Sequence, residues 1–287
     1  MVRQLKPEVV HSYSSHLNFV VQWSVRGTRG IVFGSTRSNF VLDWEGSSWC
    51  LSRLNACWPR NQVFNSFQAA KSAYRSKSPF VPKQLFVVQN GVDLEHFRAC
   101  PLASVGEAHI AGIGSLLPVK RWDRLLTAAS ELKRRNYEFL AQIAGDGPLR
   151  RSLDHQLRDG ALEDRVQFLG HVNNMPDFLS RATFLVHSSD AEGCPHAVME
   201  AMACGRAVVA TNVGDVPSLV EDGKTGFLVD RGNDAMLVDR MATLIGYRDL
   251  CRRMGEVGRA KAEREFGLDR LVSETLAAHE RAGWQRY

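Results

Sequence analysis

From about Ala108 onward, the chain alternates short apolar runs with longer stretches in which apolar residues recur at helical spacing. Short apolar runs are typical of buried strands, and strands that alternate with helices build parallel sheets. The predicted strands cover residues 108–114, 139–145, 166–170, 182–189 and 206–211. This pattern predicts repeated βα units and therefore an α/β fold.

The helices between these strands are predicted from the spacing of their apolar residues. The first has one apolar face, formed by Trp122, Leu125, Leu126, Ala129 and Leu132. Residues 145–148 have the sequence Gly-Asp-Gly-Pro, which ends the second strand before the next helix. Residues 234–266 and a last segment ending near Trp284 are also predicted to be mostly helical.

Before Ala108 the alternation is less regular. Predicted strands cover residues 9–14, 30–35, 61–66 and 85–90, separated by polar or aromatic stretches. They are compatible with a second parallel sheet, and a domain boundary is predicted between Asn90 and Gly106. A length of 287 residues with 44% hydrophobic composition is enough for two domains.

Charge and cysteine content limit the class of protein. A net charge of +5, from 36 basic and 31 acidic residues, suits phosphate-bearing ligands or an anionic membrane surface and does not imply nucleic acid. The six cysteines form no CxxC pair, so neither a zinc site nor a disulfide framework is predicted. Without a signal-peptide or membrane-spanning run, the sequence predicts a soluble, cytoplasmic protein.

Two glycine patterns resemble phosphate-binding motifs and fit them poorly. Gly223-Lys224-Thr225 resembles the end of a P-loop, but Ser218 stands where that motif needs a glycine and an apolar run follows in place of a helix. A turn before a strand is the better interpretation. Gly112 and Gly114 begin a dinucleotide motif, but Leu117 stands where its third glycine belongs.

The turn after the first strand of the regular series still offers an anion site. Small residues lead from this strand toward a helix, where free backbone N–H groups and the helix dipole favour negative charge. Lys120 adds a positive charge a few residues later. The alternative is that Lys120 and Arg121 form a solvated, basic first helical turn.

The most informative local pattern is EGCPHAVMEAMACG, residues 192–205. Proline near its start and Gly205 after its end predict a short helix from about Pro195 to Cys204, with Glu192 ahead of it and Glu200 in its second turn. The two carboxylates could hold opposite ends of one nucleotide-sugar. Alternatively, Glu192 is favoured by the helix dipole and Glu200 is a surface residue. Apolar neighbours on every side of Glu200 make a carboxylate there costly unless something binds it.

These residues resemble the retaining GT-B glycosyltransferases of family 4, also called glycosyl transferases group 1. Their E-x7-E motif corresponds to Glu192 and Glu200, and six further segments agree in order. These segments are residues 87–97, 112–126, 143–150, 166–172, 208–229 and 264–271. The resemblance runs from about Val87 to Phe266, with a thinner match toward the N-terminus.

The resemblance implies a GT-B architecture: two Rossmann-like domains facing a cleft, the first of them incomplete. It divides the chain into a partial acceptor-side domain at residues 1–100 and a donor-binding domain at residues 101–270. A C-terminal helix at residues 271–287 is expected to pack back on the first domain. Because no glycine-rich βα segment precedes residue 5, the chain is expected to be N-terminally shortened.

The resemblance also implies roles for particular residues. Glu192 would contact the hydroxyls of the donor sugar, Glu200 the ribose, and Lys120 the diphosphate, while backbone near His171 and Val172 would face the nucleobase. The expected donor-binding residues are Gly114, Ser115, Lys120, Arg121, His171, Val172, Glu192, Gly193, Cys194, Pro195 and Glu200.

Some positions depart from the family pattern. Ser115 stands where many members carry an arginine, so Arg121 is the candidate to assist Lys120. Ser218 and Asp215 replace a common glutamate and a common glycine.

A histidine near the transferred sugar is expected in the first domain. His11 is the candidate, with His16 as second choice, and a histidine at a strand end without a chemical role is the alternative. Together with Glu192 and Lys120, His11 completes the predicted catalytic set.

The implied function is transfer of a sugar, with retention, from a UDP-sugar or else GDP-mannose to an acceptor hydroxyl. No metal or other cofactor is expected. The acceptor would be a glycan, a lipid-linked or a small molecule, and peripheral association with the inner membrane face is compatible with the charge. The alternative is a shortened or decayed copy that binds the nucleotide without turnover.

Overall fold

The computed structural model describes residues 2–37, 49–75, 79–102 and 106–285. In these residues, ten strands form two parallel sheets, with helices in the connections. The α/β prediction is confirmed. The contacts divide the chain into two units, and each is described separately below.

The first unit comprises Met1–Asn90, Glu192–Cys194 and Leu268–Tyr287. The second comprises Gly91–Ala191 and Pro195–Gly267. The chain therefore passes from the first unit to the second at residues 90–91. Glu192–Cys194 pack with the first unit although their neighbours in sequence belong to the second.

The first unit contains a four-stranded parallel sheet in the order β1-β2-β3-β4. In register, Val9 lies opposite Ile31, Phe33 opposite Asn61, and Phe64 opposite Val87. The strands are β1 Val9–His11, β2 Ile31–Thr36, β3 Asn61–Phe64 and β4 Gln84–Val87. The helices before and between them are α1 Val2–Leu5, α2 Asn18–Ser24, α3 Trp49–Cys57 and α4 Phe67–Arg75. All four strands predicted in this region are confirmed.

The last helix of the chain, α12 (Leu268–Arg281), completes the core of the first unit. Its buried Ala278 packs with Phe33, Val63 and Val88, and Leu271 adds to the same cluster. Burying one methyl or methylene group stabilises a fold by about 0.8 kcal/mol, so Ala278 and the partly buried Leu271 both contribute. A helix distant in sequence is therefore part of the first hydrophobic core.

The second unit contains a six-stranded parallel sheet in the order β10-β9-β8-β5-β6-β7. Its strands are β5 Ala108–Ile113, β6 Phe139–Ala144, β7 Val166–Gly170, β8 Phe184–His187, β9 Ala207–Thr211 and β10 Gly226–Val229. Because β5 pairs with both β6 and β8, the winding direction reverses between β5 and β8. In sheets of this order, ligands bind at that reversal, beyond the carboxyl ends of the strands.

The helices of the second unit agree with the predicted pattern. They are α5 Trp122–Arg134, α6 Arg150–Asp159, α7 Met175–Arg181, α8 His196–Ala203, α9 Val216–Leu219, α10 Asp234–Gly246 and α11 Arg248–Glu265. The predicted apolar face of α5 is buried in the main core cluster. Residues 223–225 form a turn before β10, which confirms the prediction of a turn at this place in preference to a P-loop. Among the described residues, no helix is both long and apolar enough to span a membrane.

Candidate nucleotide-binding site

The turn after β5 is shaped by close contact between glycine backbones. A Cβ on Gly145 would lie 2.0 Å from the carbonyl oxygen of Gly114, and one on Gly147 would lie 2.9 Å from the nitrogen of Leu116. The Leu116 N–H donates to the carbonyl of Asp146 at 2.9 Å. Only glycine allows this approach, so the Gly-Asp-Gly sequence supports the turn as well as ending β6.

Lys120 lies directly beside this turn. It ends a 3-10 turn, Pro118–Lys120, and its side chain passes over Gly114: a Cβ there would lie 3.4 Å from Cε and 3.5 Å from Cδ of Lys120. The carbonyl of Ser115 accepts a bond from Trp122 Nε1 at 3.0 Å. The structure thus brings together Gly114, Ser115 and Lys120, and their binding of a diphosphate remains a prediction.

The guanidinium of Arg121 is held by carboxylates of its own unit. It pairs with Asp123 at 2.9 Å and with Asp190 at 2.7 Å. Its hydrogen bonds to Asp123 and Asp190 raise its pKa. Both carboxylates pair with the positive charge that was expected to contact a diphosphate. Assistance of Lys120 by Arg121 therefore remains a prediction.

His171 and Val172 follow β7 at the same edge of the sheet. The carbonyl of Gly170, just before them, accepts a hydrogen bond from the Gly145 N–H at 2.8 Å. His171 is exposed and Val172 is half-buried. This pair is therefore joined through Gly145 to the turn that carries Lys120, and its contact with a nucleobase remains a prediction.

The segment Glu192–Cys194 packs within the first unit. The carbonyl of Cys194 accepts a bond from Asn90 Nδ2 at 2.8 Å. A Cβ on Gly193 would lie 3.3 Å from Asn65 Oδ1 and 3.4 Å from the carbonyl of Arg37. Asn90 is buried, with 6% of its surface exposed. The absence of a side chain at Gly193 lets the segment lie close to Asn65 and to the backbone of Arg37.

Glu200 lies in the second turn of α8, as predicted, and Pro195 is the N-cap of that helix. The carboxylate is half-buried. Burial raises its pKa, and the charge of nearby His96 partly opposes that shift. A carboxylate kept among apolar neighbours costs stability, and contact of Glu200 with a ribose remains a prediction.

His11 lies at the end of β1 in the first unit, enclosed by aromatic rings. Its Nε2 is 3.0 Å from Ser35 Oγ, its Nδ1 is 3.5 Å from Nε2 of His279, and its ring stacks on Tyr13. Burial, then the charges of His279 and Arg37, lower the pKa of His11 to about 4. Both ring nitrogens have protein neighbours, which supports the structural alternative for His11. His16 is exposed, on the 3-10 turn that follows β1.

Four polar residues that contact or adjoin the predicted site residues were not identified as candidates from the sequence: Asn90, His96, Ser188 and Asp190. Asn90 and His96 belong to a segment noted only for its resemblance, residues 87–97. Ser188 and Asp190 follow β8 directly, and polar residues after a buried strand are a usable signal. In the described residues, no group of three or more His, Cys, Asp or Glu side chains could hold a metal ion.

The strand order defines the second unit as a doubly wound, Rossmann-type α/β unit, and polar residues follow β5 and β8, where ligands bind in such units. Residues 97–261 match the family model described as Glycosyl transferases group 1. That match covers more than half of the chain, and the chain belongs to this family.

Two curated relatives illustrate the similarity. The chain is 31% identical over 132 residues to N-acetyl-alpha-D-glucosaminyl L-malate synthase from Bacillus anthracis, covering 46% of this chain and 35% of the relative. It is 29% identical over 228 residues to a GDP-mannose-dependent alpha-(1-6)-phosphatidylinositol monomannoside mannosyltransferase from Mycobacterium tuberculosis, covering 73% of this chain and 59% of the relative. The chain thus spans only about a third to three fifths of their lengths.

Solved structures show the same fold. HepE from Anabaena in complex with UDP superposes with a TM-score of 0.83 at 21% identity, covering 96% of this chain and 80% of that chain. Sucrose-phosphate synthase from Thermosynechococcus elongatus gives a TM-score of 0.81 at 19% identity, covering 96% and 73%. The predicted GT-B fold is confirmed, and at these identities the likeness concerns the fold alone.

Proposed function

We propose that this chain belongs to a retaining glycosyltransferase and binds a nucleotide-sugar, with a UDP-sugar as the preferred donor and GDP-mannose as the next choice. The observation that carries the proposal is the arrangement within the second unit. Lys120 follows β5 and Glu200 follows β8, the two strands between which the sheet reverses its winding. Lys120 would meet the diphosphate and Glu200 the ribose of a donor bound at this reversal, where ligands of such sheets bind.

The proposed chemistry is electrostatic. The oxygen of an acceptor hydroxyl bonds to the anomeric carbon on the same face from which the diphosphate oxygen departs, and the hydroxyl proton leaves with the diphosphate. Negative charge grows on the leaving diphosphate, where Lys120 and backbone N–H groups would lower the barrier. Glu192 would hold the hydroxyls of the donor sugar. This mechanism uses no metal.

A donor screen tests this proposal. The protein is incubated with UDP-glucose, UDP-N-acetylglucosamine, UDP-galactose and GDP-mannose, with and without a chelator, while release of UDP or GDP is measured. We expect slow hydrolysis of one donor, unchanged by the chelator and lost in Glu192→Ala. Glu163→Ala removes an exposed carboxylate in the loop before β7 and serves as the control. Hydrolysis by Glu192→Ala at the parent rate would contradict the role of Glu192.

A second function, nucleotide binding without turnover, is favoured by one observation. The nitrogens of His11 lie beside Ser35 and His279, so this histidine is poorly placed to act as an acid or base. UDP or GDP binding in calorimetry by a folded sample that releases no product from any donor would support this second function.

The acceptor is proposed from the names of the relatives. One acts on phosphatidylinositol monomannoside, and another, from Escherichia coli, is named for colanic acid biosynthesis. A glycan or lipid-linked acceptor, and peripheral binding to an anionic membrane surface, would both be compatible with the +5 charge. Co-sedimentation with vesicles containing anionic lipid, compared with neutral vesicles, tests the membrane part.

A further inference from the structure

The turn that carries Lys120 is held by the loop that follows β8. The Asp190 N–H donates to the carbonyl of Val119 at 2.9 Å. The Ser188 hydroxyl donates toward the carbonyls of Lys120 and Arg121, at 2.9 and 3.1 Å. Three consecutive carbonyl groups of the turn are thus bound by two residues of one loop.

The backbone of this turn needs such support. Arg121 has φ of 51°, in the left-handed region, which is unfavourable for a residue with a side chain. Conformations of this kind persist only where surrounding contacts impose them. The bonds from Ser188 and Asp190 supply these contacts, and Ser188 is only 1% exposed.

The carboxylate of Asp190 adds a charge interaction to these bonds. It pairs with Arg121 at 2.7 Å, and it lies 3.7 Å from Arg124 and 3.6 Å from Arg231. Arg124 is 2% exposed and also pairs with Asp234 at 2.5 Å. Removing the Asp190 charge would leave three guanidinium groups around one uncharged side chain, close to the backbone of Lys120.

We propose that Ser188 and Asp190 are positioning residues for Lys120, and that through it they determine how tightly the diphosphate of the donor is bound. This assignment rests on the proposed function. Because the two residues hold the backbone of the turn while the Lys120 stem lies over Gly114, they act on the position of its ammonium group without touching the nucleoside.

Comparison of UDP with uridine separates this role from a general effect on folding. Both ligands need the nucleoside contacts, whereas only UDP needs Lys120 in place. Asp190→Asn keeps the backbone bond to Val119 but loses the charged bond to Arg121, and we expect it to weaken UDP binding about 5- to 20-fold. Ser188→Ala loses a neutral hydrogen bond to the turn and should weaken it about 3- to 10-fold. Uridine affinity should stay within about twofold of the parent value, since the variants leave the nucleoside contacts intact.

A double variant and a control complete the test. Asp190→Asn with Ser188→Ala should weaken UDP binding by less than the product of the single effects, because both hold the same turn. Asp123→Asn removes the other carboxylate paired with Arg121 but leaves the loop after β8 unchanged, so its UDP affinity should match the parent. Circular dichroism and the melting temperature establish that each variant is folded.

Equal losses for UDP and uridine, or unchanged UDP binding in both single variants, would overturn the positioning role. GDP and guanosine are measured in parallel, and the same comparison applies if they bind instead. A parent protein that binds none of these nucleotides would contradict the proposed function itself, and the assignment would fall with it.

Discussion

The side-chain amide of Asn90 donates to the carbonyl oxygen of Cys194 at 2.8 Å, across 104 positions of sequence. Asn90 is itself held by α12, because Arg270 donates to its carbonyl oxygen at 2.5 Å. The segment that carries Glu192 is therefore tied, within the first unit, to a residue that the C-terminal helix fixes.

Replacing Asn90 should disturb this segment specifically. Asn90→Ala leaves the Cys194 carbonyl without this donor and should cost about 1–2 kcal/mol of unfolding free energy. Asn61 makes a similar bond, to the carbonyl of Val32 at 3.3 Å, away from Glu192. We expect similar destabilisation in Asn61→Ala but loss of donor hydrolysis only in Asn90→Ala. Equal activity in the two variants would argue against a role for Asn90 in holding the segment.

Gly114→Ala should weaken nucleotide binding. The new Cβ would lie 3.4 Å from Lys120 Cε, and the φ of 151° is rarely adopted by other residues. Because alanine strains the backbone at this φ, directly under the lysine stem, we expect UDP affinity to fall about tenfold or more, measured by calorimetry. Gly246→Ala is the control, since a Cβ there meets nothing within 4 Å. An unchanged affinity in Gly114→Ala would remove Lys120 from the proposed site.

Glu200→Gln should bind the nucleotide less well and yet be more stable. Burial raises the pKa of Glu200, so ionisation costs the folded state more than the unfolded chain, and stability falls as pH rises through that pKa. The neutral amide avoids this cost at pH 7, and the melting temperature should rise by about 1–4 °C. If the ionised carboxylate accepts the ribose hydroxyls, parent affinity should also fall on acidification at a higher pH than for an ordinary glutamate. A lower melting temperature would contradict the burial argument.

His11 should make the first unit sensitive to acid. Its pKa is 6.5 when unperturbed and about 4 in the fold, so the unfolded chain takes up a proton that the folded chain resists. Its contribution to stability is complete above pH 6.5 and is lost as pH falls toward about 4, at most about 3 kcal/mol. Denaturant unfolding at pH 7 and pH 5 should show a smaller difference for His11→Gln than for the parent. His155→Gln, at an exposed histidine on α6, should behave like the parent.

Much of the fold follows from the sequence because its signals are local. The apolar period of α5 and the short apolar runs of β5, β6, β8 and β9 are present in consecutive residues, and all became the predicted elements. The helix from His196 to Ala203 likewise begins next to its proline and ends before Gly205. Local backbone preferences and one-sided burial are enough to predict such elements.

The partners of particular side chains could not be predicted in this way. The roles given to Arg121 at a diphosphate and to His11 at a sugar stay predictions, but nothing in the sequence indicated that Arg121 pairs with Asp190 or that His11 lies beside Ser35 and His279. These partners lie up to 268 positions away in the chain. No local pattern encodes such a distance.

The sequence by itself determined the parallel α/β architecture, the helix that carries Glu200 and the family of the chain. Only the tertiary structure decided that Asn90 holds Cys194, that Ser188 and Asp190 hold the Lys120 turn, and that α12 closes the first core. The physical reason is that periodicity reflects which face of an element is buried. Hydrogen bonds and ion pairs instead depend on which strand ends and loops the order of strands in the sheet brings side by side.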